Sequence, residues 1–213
     1  MAGDYEESNR PYELGEEGAE NLSFHPRNVY LTLLLFSLVM LFLALTAAFV
    51  YTRIQSELPP LRLPLLFLIN TAILLGGSYC MNRAKKMYLA DNTSGYIRML
   101  EYTLALTVLF LIAQIIAWYQ LFNQQIYLAS DNSASYLYVI SALHFLHVIG
   151  GLPFLLIFLI RARKYMVEPV SVLVYFSDPE KRLNLRLLTL YWHFLDGLWI
   201  YLILFFFVYQ IVF

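Results

Sequence analysis

The sequence predicts an all-α integral membrane protein with five transmembrane helices, its N-terminus in the cytoplasm and its C-terminus outside. Hydrophobic residues make up 60% of the 213 and charged residues only 14%, whereas soluble domains carry roughly 25% charged residues. The charges are also uneven, because long apolar runs alternate with short charged segments. Five runs come close to or exceed the ~20 apolar residues that a spanning helix needs. They are 29–51, 63–81, 102–122, 136–160 and 187–213.

The distribution of basic residues predicts the orientation. An acidic tail, residues 1–27, precedes the membrane domain at 28–213 and is predicted to be disordered. This tail and the segments 82–101 and 161–186 together hold 12 of the 14 Lys and Arg. Because cytoplasmic loops carry the excess of basic residues, these three segments are assigned to the cytoplasm.

The first two runs are predicted to form a tight antiparallel pair. Their connection is short, and Pro59 and Pro60 prevent a helix from running through it. In the second run, Gly76, Gly77 and Ser78 would let a neighbouring helix approach closely.

Polar residues inside the runs are the candidates for function, since such groups are costly at membrane depth. His144 and His147 share one face of the fourth run, and His193 and Asp196 share one face of the fifth. Their depths favour a pair between His147 and Asp196, with His193 or His144 as alternative partners of the carboxylate. The predicted interhelical network consists of Asn70, Gln114, His144, His147, His193, Asp196 and Trp199.

Catalytic and metal-binding roles are not predicted for this set. Two histidines three residues apart cannot coordinate opposite faces of one haem, although His144 or His147 with His193 stays open as a ligand pair for a single haem or a metal. The favoured interpretation is hydrogen bonding between helices. The single Cys80 excludes an all-cysteine metal site. The few cations flank the membrane instead of clustering, so no nucleic-acid partner is predicted.

Basic residues near the ends of the runs are candidates for contact with lipid headgroups. For most of them, the general excess of cations beside a membrane is the favoured explanation. They are Arg53, Arg62, Arg161, Arg163 and Lys164.

Four motifs, in order along the chain, resemble those of haem–copper oxidase subunit III, the cytochrome c oxidase subunit III family. "LPLLFLINTAILLGGS" at 63–78 is similar to the family's Leu-Pro…Asn-Thr helix, and "LFLIAQIIAWYQL" at 109–121 to its Gln-x-x-Glu-Trp helix. "LHFLHVIGGL" at 143–152 is similar to its His-x-x-His helix, and "YWHFLDGLWIYLILFF" at 191–206 to its last helix. The five runs match the shorter bacterial form of this subunit.

The resemblance implies a redox-inactive, non-catalytic accessory subunit of an oxidoreductase complex, in the inner (plasma) membrane of a bacterium. Its neighbours would be the catalytic subunit I, subunit II and other respiratory subunits. Haem and copper would lie in the partner subunits, where oxygen is reduced to water and protons are pumped, while this chain would hold only phospholipids.

Two positions depart from the family pattern, and other functions stay open. Leu38 and Ala117 stand where the family usually has membrane-embedded Glu residues, so a part in proton delivery is not inherited. The alternatives are a related accessory protein of a nitric-oxide reductase or a quinol oxidase, an independent transporter, and a membrane cytochrome.

Overall fold

The computed structural model describes residues 26–55, 65–127, 132–166, 172 and 175–212. Five long α-helices account for most of these residues. They are α1 (Pro26–Gln55), α2 (Leu66–Leu89), α3 (Thr93–Asn123), α4 (Asn132–Tyr165) and α5 (Pro179–Val212). The acidic tail up to residue 25 and Arg62 lie outside the described residues.

Four of the five helices are long and apolar enough to cross a membrane, namely α1, α3, α4 and α5. The helix α2 is not among these four within the described part of the chain. Its sequence includes Asn70, the Gly76–Ser78 stretch, Asn82 and Arg83, which lower its apolar character. The all-helical membrane class is therefore confirmed, and α2 is the helix on which the predicted number of spans depends.

The helices α2 and α3 form an antiparallel hairpin around a three-residue turn. The N–H of Asn92 donates to Met87 O at 3.0 Å, and Asp91 adopts a left-handed backbone with φ 52°, a conformation that Asp tolerates better than most residues. The Asn92 side chain then caps α3 by accepting from Gly95 N at 2.8 Å. Along the hairpin, Gly76 and Gly77 lie against Leu106 of α3.

The predicted tight pairing of the first two runs is wrong, because α1 packs against α4 and α5. The reason is a set of aromatic side chains on α1 that find ring partners there. Phe49 is 1% exposed, and its ring centroid lies 5.8 Å from that of Tyr136 and 4.9 Å from that of Tyr209. Thr46 adds a hydroxyl–hydroxyl hydrogen bond to Tyr201 at 2.8 Å.

Candidate functional site: polar side chains within the bundle

An amide pair joins α2 to α3 in the centre of the bundle. Asn70 Nδ2 donates to Gln114 Oε1 at 2.9 Å, and both residues are completely buried. One turn of α2 is also tied to α5, since the Trp199 indole N–H donates to Thr71 Oγ1 at 3.2 Å. Buried amides would be costly in an apolar interior without such partners, so these bonds fix which faces of the three helices meet.

His193 bridges α5 to two polar side chains of α2. Its Nε2 lies 3.0 Å from Asn82 Oδ1, and its Nδ1 lies 2.7 Å from Ser78 Oγ. Because the amide oxygen can only accept, Nε2 carries a proton, and in the neutral ring Nδ1 accepts from the Ser78 hydroxyl. Asp196 Oδ2 lies 3.7 Å from Nδ1, which is beyond hydrogen-bond distance, and the two groups would form an ion pair only with the ring protonated.

His147 does not contact Asp196 in the way that the favoured pairing expected. Its Nδ1 donates to Leu143 O within α4 at 2.6 Å. The link from this point to α5 comes from the backbone, because the Tyr191 hydroxyl donates to His147 O at 2.8 Å. Among the partners considered for Asp196, the structure brings His193 close, because the two side chains share one face of the same helix.

His144 is surrounded by rings. It is completely buried, with its centroid 5.0 Å from the Trp199 ring and 6.0 Å from the Phe110 ring. Within the described residues, neither ring nitrogen has a hydrogen-bond partner. No group of three His, Cys, Asp or Glu that could hold a metal ion occurs among those residues. The position of His144 is that of a packing residue beside Trp199.

The predicted headgroup candidates differ in their surroundings. Arg53 is only 8% exposed: its Nη1 donates to Ser133 Oγ at 3.2 Å, and its Cζ lies 4.7 Å from the Tyr209 ring centroid. Arg163 donates to Glu101 Oε1 at 2.6 Å, linking α4 to α3. Arg53 is thus engaged within the bundle, whereas the ion pair of Arg163 lies at the surface, where the Arg163 side chain is 63% exposed.

Two further candidates lie at the surface. Arg161 is exposed and borders a groove of about 450 Å³ between α1, α4 and α5. Lys164 Nζ lies 5.5 Å from the Tyr165 ring centroid.

The positions that lack the family's glutamates are buried. Leu38 is 5% exposed and Ala117 is fully buried, and both belong to the main hydrophobic core. At these places apolar side chains fill space that a carboxylate would occupy only at a large desolvation cost.

Sequence reasoning missed the partners supplied by α2. Ser78 and Asn82 are four residues apart and therefore lie on one face of the helix. That spacing is a usable signal for a polar face, although a Ser beside two glycines is more often typical of a close helix contact. The Thr71 hydroxyl and the Tyr191 hydroxyl carried no pattern that singled them out.

Comparisons with known proteins agree with the four motifs. The family model described as cytochrome c oxidase subunit III matches residues 24–211. A cytochrome c oxidase subunit 3 from Synechocystis is 30% identical over 161 residues, which are 74% of this chain and 64% of the relative. Proteins of the same name from Papio hamadryas and Paracentrotus lividus are each 31% identical over 147 residues, which are 69% of this chain and 50% and 51% of the relatives. The alignments thus span about half to just under two thirds of the relatives' length.

Proposed function

The chain belongs to the cytochrome c oxidase subunit III family, and on this basis we propose that it is the redox-inactive accessory subunit of a haem–copper terminal oxidase. The observation that carries the proposal is the extent of the family match, which runs through all five helices. The arrangement of the buried polar groups is consistent with it, because they bind one another across helices and so serve to hold a scaffold together.

The proposed topology has five spans in a bacterial inner membrane, with the N-terminus in the cytoplasm and the C-terminus outside. In this topology α2 is the span that brings the number from four to five. One face of α2 contacts α3 and α5, while apolar side chains such as Leu68 and Leu75 are about half exposed on its other side. Its polar side chains are compatible with that position because they are hydrogen-bonded inside the bundle.

The proposed partners supply the chemistry. Subunit I would hold haem and copper, reduce oxygen to water and pump protons, with subunit II and other respiratory subunits beside it. This chain would stabilise subunit I and hold boundary phospholipids, for which the groove bordered by Arg161 offers an apolar wall, with Asn184 and Tyr191 as polar neighbours.

The test is purification of the tagged chain from its native membranes in mild detergent. We expect a haem–copper subunit to co-purify, identified by mass spectrometry, together with oxygen-reducing activity. The separated chain should show no haem signal in a reduced-minus-oxidised spectrum. A chain that purifies without such a partner, or that carries haem by itself, would overturn the proposal.

A further inference from the structure

A cavity lies between the last turns of α2 and the first turns of α5, on the side of the bundle assigned to the cytoplasm. Its volume is about 670 Å³. Its floor is apolar, since Tyr88 and Leu185 are each only 2% exposed. It is separate from the groove that Arg161 borders, because the two share no lining residue. We call it the basic cavity, and its principal lining residues are Lys85, Tyr88, Arg182, Leu183, Leu185 and Arg186.

Three cations of the basic cavity come from two helices that are far apart in sequence. Lys85 is a half-buried residue of α2, while Arg182 and Arg186 are four residues apart on α5 and so lie on the same side of that helix. No acidic residue lines the basic cavity within the described part of the chain. The cavity therefore brings three positive charges together beside an apolar floor.

The carboxylates at the start of α5 are engaged with other cations. Asp178 Oδ2 lies 3.2 Å from Lys181 Nζ, and this hydrogen bond is the main reason that the pKa of the Asp178 carboxyl lies below its usual range. Glu180 Oε2 lies 3.6 Å from Arg27 Nη1. Among the described residues, none of the three cavity cations forms an ion pair, so their charges stay available to an anion.

The two walls of the basic cavity are fixed to each other. The Tyr88 hydroxyl of α2 donates to Tyr175 O at 3.1 Å, and the Tyr88 ring lies 4.9 Å from the ring of Phe176, edge to face. These contacts anchor the residues leading into α5 against the end of α2. The backbones that carry the cations are thus held at a set separation before any ligand binds, which lowers the entropic cost of binding.

From this arrangement we propose that the basic cavity binds a phosphate-bearing anion, supplied either by the headgroup of an anionic phospholipid or by free phosphate. Arginine forms paired hydrogen bonds with phosphate oxygens, and lysine adds a point charge. Three cations would offset the charge of a phosphate group, while the apolar floor suits the glycerol and the first methylenes of a lipid. The proposal goes beyond the accessory function, since binding at this site does not depend on the oxidase partner.

The test uses the full-length chain in phosphatidylcholine nanodiscs, titrated in one arm with phosphatidylglycerol and in the other with inorganic phosphate. The cavity variant is Lys85→Gln/Arg182→Gln/Arg186→Gln. The control variant, Arg83→Gln/Lys86→Gln/Arg98→Gln, removes the same number of charges from exposed positions outside the basic cavity. Circular dichroism of each variant verifies that the helices are retained.

We expect the cavity variant to bind the anion roughly 10- to 100-fold more weakly than wild type, and the control variant to bind as wild type does. If phosphatidylglycerol binds and inorganic phosphate does not displace it, the source is the headgroup. If inorganic phosphate binds with the same dependence on the three cations and displaces the lipid, the source is free phosphate.

An equal loss of anion affinity in both variants, or no loss of affinity in either, would overturn the proposal. A cavity variant that instead loses a co-purifying protein from native membranes, with anion binding unchanged, would also overturn it.

Discussion

At the scale of single residues, two neighbouring glycines of α4 have opposite surroundings. A Cβ atom at Gly151 would lie 2.8 Å from Trp192 Cζ3 and 2.8 Å from Tyr191 Cε1. A Cβ atom at Gly150 would meet nothing within 4 Å. The absence of a side chain at Gly151 therefore lets two aromatic rings of α5 lie against the α4 backbone, next to the carbonyl of His147 to which Tyr191 donates.

Replacing Gly151 by Ala should push α4 and α5 apart. The methyl group overlaps two rings that are packed on several sides, so we expect a loss of about 1–3 kcal/mol in the free energy of unfolding. Unfolding in sodium dodecyl sulfate, followed by circular dichroism, measures this loss. The control is Gly150→Ala, which should be neutral or stabilising by up to ~1 kcal/mol because Ala favours helix. The same loss in both variants would show that the close packing at Gly151 is not the cause.

At the scale of elements, α2 differs from its neighbours in how it is held. The contacts of α1 with α4 and α5 combine aromatic rings with hydrogen bonds from Thr46 and Arg53. The side-chain hydrogen bonds of α2 to α3 and α5 include two amides, Asn70 and Asn82. Such bonds lower the cost of placing a helix of lower apolarity at membrane depth, because they give several of its polar groups a protein partner. The helix α2, which hydropathy alone separates from the other four, makes its polar contacts through Asn70, Thr71, Ser78 and Asn82.

The amide pair between α2 and α3 should show measurable coupling. Asn70→Leu or Gln114→Met alone leaves the other amide buried without its partner, so each single change should destabilise by about 1–3 kcal/mol. The double change removes both polar groups, and its cost should fall short of the sum of the singles by about 0.6–2 kcal/mol. Unfolding in sodium dodecyl sulfate, measured for the wild type and all three variants, gives this coupling energy.

A second cycle tests whether the coupling is specific to the pair. The Thr103 hydroxyl donates to Met99 O within α3 and lies three turns away from Gln114 along the helix. Thr103→Val combined with Asn70→Leu should therefore be additive. Equal coupling in both cycles would attribute the effect to a general loosening of the hairpin.

At the scale of the whole molecule, the sequence predicted the elements better than their contacts. Hydropathy located five helices, because spanning length and charge exclusion act on each segment by itself. The helices extend beyond the apolar runs, since α2 continues to Leu89 and α3 begins at Thr93, through charged residues that remain helical. The neighbours of α1 and of His147 depend on how each helix is rotated about its axis. That rotation is set by side chains such as Phe49 and Tyr191, whose partners on other helices lie 44 to 160 residues away along the chain.

The topology is the whole-molecule property that a single experiment can settle. Three exposed positions bracket the helices: Gln55 at the end of α1, Ala90 between α2 and α3, and Gln124 after α3. The 31 residues of α3 extend over ~46 Å, which exceeds the ~30 Å hydrocarbon core, so Ala90 and Gln124 should lie on opposite sides.

Cysteine is introduced singly at each position in a Cys80→Ser background, and spheroplasts are treated with a membrane-impermeant maleimide. We expect labelling of Gln55→Cys and Gln124→Cys from outside, and labelling of Ala90→Cys only after lysis, because α2 and α3 each cross once and the basic segments stay inside. Labelling of Gln55→Cys and Ala90→Cys on the same side would show that α2 does not cross, and the reverse pattern at all three positions would invert the orientation.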